Sequence, residues 1–173
     1  MDERTDSQLV AACRKGDREA YESLVRRHSR YIYAICLGIL GSPTDSEDMT
    51  QEVFVKGFTR LGKLREDGQF LAWIAQIARN QCRDFVKVHS RRRTLLEQQI
   101  PIDADESADF HELHTALARL PETYRLPLML YYFDGQSSES VARALNISQA
   151  GACTRLSRAR RELRKLLEKE ADR

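Results

Sequence analysis

Apolar side chains recur at steps of three and four residues along most of the chain. Between residues 17 and 40 the recurrence is continuous, and it stops at Gly41-Ser42-Pro43, where a helix would end. No stretch rich in Val, Ile or Thr alternates with polar residues as a half-buried strand would. The pattern therefore predicts an all-α protein, whose first long helix presents this apolar face: Tyr21, Leu24, Val25, His28, Ile32, Ile35, Cys36 and Ile39.

Two more helices are predicted in the first half of the chain. Residues 44–47 have the spacing of a capping box, a hydroxyl followed three residues later by a carboxylate, so a helix is predicted to begin at Thr44. A loop flanked by Gly62 and Gly68 follows, and the next helix is predicted from about Phe70 to Val88. The period of the earlier helix predicts an inner face of Met49, Val53, Phe58 and Leu61 and an outer side of Asp48, Gln51, Glu52 and Val55.

The helix predicted from Phe70 to Val88 carries a basic stripe beside its apolar face. Arg79, Arg83 and Lys87 repeat every four residues, and three arginines at 91–93 follow. Asp84 is the one acidic residue between Arg79 and Arg93, so the cations have few partners along their own helix. A solvated surface would account for three cations, but the longer basic run favours contact with nucleic acid.

The chain changes sign between residues 89 and 110, where a basic run gives way to an acidic one. The 173 residues, 42% of them hydrophobic, suffice for one domain or two small ones. Because the net charge is only +2, affinity for nucleic acid must come from how the charges are distributed. We predict two small helical domains, at 1–93 and 111–173, joined by a flexible acidic linker at 94–110.

The second domain contains a pattern typical of a helix-turn-helix, between residues 137 and 163. Val141 and Leu145 are placed to pack inward, Ala142 is small where two helices must approach, and Asn146 takes the left-handed turn conformation at low cost. Ser148 is predicted to cap the following helix. That helix would turn Leu156, Ala159, Leu163 and Leu166 to the core and Arg155, Arg158, Arg161 and Arg164 away from it.

Membrane and secreted proteins find little support in the sequence. No apolar run reaches the roughly 20 residues that a membrane-spanning helix needs, and the N-terminus leads into no signal-peptide core. The four cysteines have no C-x-x-C spacing, so neither a zinc knuckle nor a disulfide framework is indicated. We expect a cytoplasmic protein whose thiols are buried or incidental.

Enzymes and metalloproteins are also disfavoured. His28 lies within an apolar stripe, which favours a packed histidine over a ligand, and the pair His111 and His114 lacks the second histidine of an H-E-x-x-H site. The sequence has no phosphate-binding loop, paired-carboxylate metal site or convincing nucleophile–base pair. We therefore expect no catalytic residues, no cofactor and no metal.

Three segments together resemble a bacterial RNA polymerase sigma factor of the extracytoplasmic-function (ECF) type, in the sigma-70 family. They are DSEDMTQEVFVKGF at 45–58, FLAWIAQIARNQCRDFVK at 70–87 and LPETYRLPLMLYYFDGQSSESVARALNIS at 120–148. The resemblance spans about residues 8–168, and no single motif has to carry it. It implies a protein that binds core polymerase, directs it to promoters and aids strand opening.

The resemblance also implies a role for each matching segment. The acidic helix would dock on the β′ clamp helices of polymerase through Asp45, Glu47, Asp48, Gln51, Glu52 and Phe54. The basic helix would read the minus-ten element through Arg79, Asn80, Arg83, Lys87, Arg91, Arg92 and Arg93, with the loop 64–69 capturing an unstacked base and Trp73 in the core.

The second domain would read the minus-thirty-five element and sit on the β flap. Its candidate contacts are Ser148, Gln149, Thr154, Arg155 and Arg158. Gly151 and Ala152 depart from the family pattern, and a glycine inside a helix costs roughly 1 kcal/mol relative to alanine. Many members of the family are held inactive by an anti-sigma factor, so such a partner is a further expectation.

A stand-alone helix-turn-helix regulator is the main alternative. It would account for residues 111–168 but leaves the acidic face at 45–54 unexplained. Within the linker, Asp103, Asp105, Glu106 and Asp109 suggest the hypothesis that an acidic strand imitates nucleic acid in the polymerase channel.

Overall fold

The computed structural model describes residues 2–95, 108–133, 135 and 137–171, without the side chains at 89–95, 108–112, 114, 133 and 170–171. Every regular element in these ranges is helical, which confirms the all-α prediction. The α-helices are α1 Asp6–Arg14, α2 Arg18–Leu40, α3 Pro43–Arg60, α4 Phe70–Leu95, α5 Ala108–Arg119, α6 Glu122–Leu128, α7 Ser138–Leu145 and α8 Gln149–Ala171. Short 3₁₀ turns at Leu61–Lys63 and Asp67–Gln69 join α3 to α4, and a π-helical turn at Met129–Phe133 follows α6.

Helices α1–α4 form the first unit, with α2 packed against α1, α3 and α4. Side-chain oxygens satisfy the free amides at three of the helix starts. The Asp17 side chain accepts a hydrogen bond from the Ala20 N–H and caps α2, while Gly41, in the left-handed conformation at φ 74°, ends that helix. His28 is buried within α2, and its Nε2 lies 2.8 Å from Asp6 Oδ2, so the prediction of a packed histidine is confirmed.

The predicted start of α3 at Thr44 is wrong by one residue, and the predicted capping box does not form. Ser42 is the N-cap, its hydroxyl accepts a hydrogen bond from the Asp45 N–H, and Pro43 occupies the first helical position. Proline suits that position because its fixed φ fits a helix and its missing N–H would have had no intrahelical partner. Helix α4 also continues seven residues past the predicted end at Val88, to Leu95.

One residue was assigned to the wrong face of α3. Phe58 was predicted to point inward but is 48% exposed, whereas Phe54 is only 6% exposed and fills the core. The Tyr21 hydroxyl donates a hydrogen bond to the Phe54 carbonyl at 2.6 Å, and the Tyr21 ring packs edge-on against Phe58. Phe58 therefore borders the core instead of entering it.

Helices α5–α8 form the second unit, and α7 and α8 make the predicted helix-turn-helix. Asn146 adopts the left-handed conformation at φ 53°, and Val141 and Ala142 are buried, as predicted. The Ser148 hydroxyl accepts a hydrogen bond from the Gly151 N–H, which confirms Ser148 as the cap of α8. The apolar residues Tyr124, Leu128, Met129, Tyr132 and Phe133 have a helical period that predicts Tyr132 on the inner face, but the π-helical turn changes the register and leaves Tyr132 58% exposed.

The two units touch along the last turns of α2, which pack against α6 and the π-helical turn. Gly38 lies at the crossing, where a Cβ atom would come within 2.7 Å of the Leu126 Cα. Within the described ranges, no helix is long and apolar enough to cross a membrane. The predicted linker at 94–110 falls mainly outside the described residues, as do the four acidic residues of the channel hypothesis apart from the backbone of Asp109.

Candidate polymerase and nucleic-acid interfaces

The start of α3 presents an acidic surface. Glu47, Asp48 and Glu52 are exposed, and among the described residues none of them forms an ion pair. Asp45 is half-buried, and its backbone N–H is held by the Ser42 hydroxyl at 3.3 Å. The negative charge near the helix N-terminus is favourable in itself, but carboxylates exposed without partners also remain available to a basic surface.

A groove runs beside this acidic surface, between α3 and α4. Its volume is about 640 Å³, and it is lined by Asp48, Gln51, Glu52, Val55, Lys56, Thr59 and Gln81. Val55 is 66% exposed, and the Gln81 Oε1 atom is buried with no hydrogen-bond partner in the described structure. A buried acceptor without a partner is costly, so Gln81 is an energetically unfavourable polar group beneath the groove. Val55 lies on the outer side of α3 with Asp48, Gln51 and Glu52, as predicted, whereas Gln81 of α4 was not predicted as part of this surface.

Phe54, predicted with the polymerase-binding residues, does not belong to the exposed surface. It lies in the core cluster of the first unit and is covered by its neighbours. The spacing explains the error: Phe54 follows Gln51 by three residues, but α3 is amphipathic and its apolar side turns toward α2 and α4. Phe54 therefore supports the acidic surface from below and does not contact a partner in this conformation.

The predicted minus-ten residues lie along one side of α4. Asn80, Arg83 and Lys87 are exposed, whereas Arg79 is half-buried and its Nη2 donates to the Ala144 carbonyl at 2.7 Å. The Asn80 side-chain oxygen accepts a hydrogen bond from Gln76. Trp73 is half-buried with its ring 6.1 Å from that of Phe70, in agreement with its predicted packing role. The side chains at 91–93 lie outside the described structure, although their backbone continues α4.

An arginine of α1, which sequence reasoning missed, holds the loop at 64–69. The Arg14 guanidinium donates to the Leu64 carbonyl and forms an ion pair with Asp67 at 3.0 Å. Leu64 is buried, so the loop is anchored to the first unit at that residue and at Asp67. Nothing near Arg14 in the sequence signals this contact, because its partners lie about fifty residues further along the chain.

The predicted minus-thirty-five residues surround the start of α8. Ser148, Gln149, Thr154 and Arg158 are exposed, and Arg155 is half-buried. The Thr154 hydroxyl donates to the Ala150 carbonyl at 2.9 Å. Neither Arg155 nor Arg158 forms an ion pair within the described structure. These two cations are therefore available for phosphate groups.

The structure explains why small residues occupy positions 151 and 152, where the chain departs from the family pattern. Gly151 lies in the first turn of α8, next to the cap, so the predicted cost of a glycine inside a helix is overstated at this position. A Cβ atom at Gly151 would come within 3.1 Å of the Ser148 hydroxyl oxygen. Ala152 is fully buried against the core, which leaves no room for a larger side chain. Gly151 therefore leaves room for the Ser148 cap, and Ala152 lets α8 pack closely against the core.

The cysteines and the described acidic and histidine side chains build no metal centre. Cys36 and Cys82 are buried, Cys13 is half-buried and Cys153 is exposed, and all four are free thiols. No cluster of three or more histidine, cysteine, aspartate or glutamate ligands occurs where side chains are described. The pair His111 and His114 lies outside those side chains, so the structure does not test that site.

Comparison with known families gives an independent assignment of both units. The model for sigma-70 region 2 matches residues 24–92, and the model for sigma-70, region 4 matches residues 110–163. The ECF RNA polymerase sigma factor SigM of Mycobacterium tuberculosis is 30% identical over 169 residues, which cover 95% of this chain and 86% of that protein. The chain belongs to the ECF sigma factors of the sigma-70 family. This sigma factor therefore binds core RNA polymerase and directs it to promoters.

Other relatives agree with the assignment. The chain is 34% identical over 162 residues to the probable RNA polymerase sigma factor RfaY of Xanthomonas campestris pv. campestris, of which it spans only 40%. CnrH, solved in complex with the cytosolic domain of CnrY, superposes with a TM-score of 0.66 at 26% identity, covering 94% of this chain and 97% of CnrH. The match of region 2 to the first unit disfavours a stand-alone helix-turn-helix regulator, which would leave that unit without a role.

Proposed function

We propose that this sigma factor docks on core polymerase through the acidic surface of α3. The carboxylates of Asp48 and Glu52 are exposed and lack ion-pair partners in the described structure, and they border a groove that contains the exposed side chain of Val55. This combination carries the proposal, because a basic partner would gain ion pairs at the rim and apolar contact at Val55.

Charge reversal tests the docking surface. Asp48→Arg with Glu52→Arg should abolish co-purification with core polymerase while the helical circular dichroism spectrum is retained, because both side chains are exposed. The matched control is Glu22→Arg with Glu168→Arg, which makes the same change of charge at exposed positions on α2 and α8. Equal co-purification of the two double variants would rule out the acidic surface as the docking site.

We also propose that the first unit, over 1–93, reads the minus-ten element. Arg83 and Lys87 would hold the phosphates of the opened strand, Asn80 would reach a base, and the loop anchored by Arg14 would receive an unstacked base. Melting by capture needs neither a nucleophile nor a metal, so we propose that the protein is not an enzyme. Its work would be to bind the opened strand better than the duplex.

The second unit, over 111–173, would read the minus-thirty-five element. The start of α8 would enter the major groove, with Gln149 and Thr154 toward base edges and Arg155 and Arg158 toward phosphates. In support, Thr154 and Arg158 are exposed while Leu156 and Ala159, between and beyond them in sequence, are buried. Such a surface points away from the protein's own core.

The boundary between the two units offers a binding site for an inhibitory partner. A mostly apolar cleft of about 510 Å³ lies between the units and is lined by Leu37, Pro43, Leu113, Leu117, Leu128, Met129 and Leu163, with Arg125, Arg160 and Arg164 at its polar positions. The structure of the sigma factor RpoE from Bartonella quintana, at a TM-score of 0.64 and 20% identity, was solved with the anti-sigma factor NepR. We propose that a cytoplasmic anti-sigma factor inserts an apolar segment into this cleft.

A further inference from the structure

Arg125, at the centre of α6, is the one buried arginine, lysine, aspartate or glutamate side chain of the described structure. It is only 7% exposed, and among the described residues none of its hydrogen bonds goes to a carboxylate. Its guanidinium donates to five backbone carbonyls: Gly38 at 3.1 Å, Ile39 at 2.8 Å, Leu117 at 3.3 Å, Ala118 at 2.9 Å and Leu120 at 3.0 Å. These acceptors belong to two groups, one from each unit.

The position of these carbonyls explains how a cation can be buried without an acidic partner. Gly38 and Ile39 lie in the last turn of α2, and Leu117 and Ala118 lie in the last turns of α5, where carbonyls have no intrahelical donor. The C-terminal ends of helices also carry partial negative charge. Burial lowers the pKa of the Arg125 guanidinium from its ordinary value, but arginine remains charged at any physiological pH.

Two glycines make room for this arrangement. A Cβ atom at Gly38 would lie 2.6 Å from Leu126 Cδ1 and 2.7 Å from Leu126 Cα, so α6 can approach α2 only because Gly38 has no side chain. At Gly41, with φ 74°, a Cβ atom would lie 2.7 Å from the Nη1 atom of Arg125. The end of α2 is therefore shaped to receive α6 and its arginine.

The contact between the two units also involves the basic stripe of α4. Arg79 donates to the carbonyl of Ala144, near the end of α7, so the helix-turn-helix lies against α4. Promoter elements named minus ten and minus thirty-five are separated by roughly 25 base pairs, or about 80 Å of straight duplex. Units that touch through a hydrogen bond of 2.7 Å cannot read both elements at once.

We propose that Arg125 is a latch that joins the carbonyl ends of α2 and α5 and holds the free sigma factor in a closed, autoinhibited arrangement. Polymerase must separate the second unit from α2 before both promoter elements can be read. In the closed form Arg79 is occupied by the Ala144 carbonyl and the apolar residues of α6 are covered by α2.

Gly38→Ala is the sharpest test, because it leaves Arg125 and its α5 carbonyls untouched. Alanine favours the helical conformation of α2 but collides with the Leu126 backbone, so it should separate the units without unfolding them. Gly62→Ala is the matched control, since a Cβ atom there meets nothing within 4 Å. Both variants should keep the circular dichroism spectrum of the wild-type protein.

Small-angle X-ray scattering of the full, free chain reports the arrangement directly. The closed wild-type protein and Gly62→Ala should have a radius of gyration of about 16 Å. Gly38→Ala should exceed about 20 Å, because the units then separate to the reach of the chain that joins them. Arg125→Lys should give the same shift, since one ammonium group cannot reach both helix ends.

An unchanged radius of gyration in Gly38→Ala and Arg125→Lys would overturn the latch, as would a wild-type value already above about 20 Å. The occupation of Arg79 rests on the proposed role of the basic stripe and needs its own measurement. Fluorescence anisotropy with a labelled single-stranded DNA of mixed sequence should show several-fold tighter binding by Gly38→Ala. Expansion with unchanged DNA affinity would support the latch and count against the DNA-binding role of Arg79.

Discussion

The two units bury their apolar residues to different extents. Of the twelve largest fully buried side chains in the described structure, eight belong to α1–α4: Leu9, Val10, Leu24, Ile32, Ile35, Val53, Phe70 and Ile74. The second unit contributes the other four, Leu120, Leu128, Leu130 and Val141, and its α6 and π-helical turn rest on α2. The first unit therefore has a core of its own, whereas the second completes its core against a helix of the first.

This difference in burial indicates which unit is stable without the other. Small domains bury a smaller fraction of their surface, so a unit with few large buried side chains gains much from packing on a neighbour. The first unit can hold its docking surface in shape whether or not the second is attached. Separating the units should therefore lower the stability of the second unit more than that of the first.

The largest effect is expected from Phe70→Ala, which removes the centre of the first core. The Phe70 ring is fully buried, with ring centroids of Tyr21, His28 and Trp73 at 6.3, 5.7 and 6.1 Å. Truncation should cost about 3–5 kcal/mol. Trp73 is the one tryptophan of the chain, so urea unfolding followed by its fluorescence reads the first unit selectively.

Leu130→Ala provides the counterpart in the second unit. Leu130 is also fully buried, and its truncation should cost about 2–5 kcal/mol. Circular dichroism should register the loss at lower urea concentration than Trp73 fluorescence does. Coincident transitions by both probes would show that the two units unfold as one and would remove the distinction between them.

A smaller effect is expected at the turn of the helix-turn-helix. Asn146 has φ 53°, a conformation that costs a residue with a Cβ atom roughly 1–2 kcal/mol. Asn146→Ala should therefore destabilise the second unit by about 1 kcal/mol, while Asn146→Gly should be close to neutral. Far-ultraviolet circular dichroism during thermal unfolding separates the two variants, and equal losses in both would point to the asparagine side chain instead of the backbone.

The smallest effect is expected at the cap of α2, as a dependence on pH. The Ala20 N–H, and then the Arg4 guanidinium, hold the pKa of Asp17 below its ordinary value of 3.8. A lowered pKa in the folded state stabilises the protein above about pH 4, and the contribution is lost as pH falls through the folded pKa. Asp17→Asn keeps a capping side chain without the charge, so the wild-type advantage in urea midpoint should shrink steadily below pH 4. A difference that is constant with pH would exclude the charge as its cause.

Sequence patterns predicted the structure correctly where it depends on residues that are close together in the chain. The period of apolar residues predicted the long helices, and Asn146 and Ser148 marked the turn and the cap because left-handed backbone and N-caps each favour few residue types. Asp48, Gln51 and Glu52 were predicted to share an exposed face, and they do. Their roles, like the boundaries of the domains, remain predictions.

The errors arose where more than one local rule applied. Ser42 and Thr44 both offered a hydroxyl cap, and Pro43 decided between them by favouring the first helical position. Phe54 and Phe58 are one turn apart, and only the packing of α3 on α2 and α4 selects which ring is covered. Tyr132 left the apolar face because a π-helical turn follows Pro127, and that turn shifts the helical register.

The sequence by itself determined an all-α chain with an acidic helix, a basic helix and a helix-turn-helix, because helical period, capping and turn conformation depend on neighbours in sequence. It also carried the motifs that identify the family. Only the tertiary structure decided the role of Arg125, since its acceptors at Gly38 and Ile39 lie 87 and 86 residues away. A buried cation that bonds to carbonyls leaves no complementary charge in the sequence, so no pattern of residues could have revealed it.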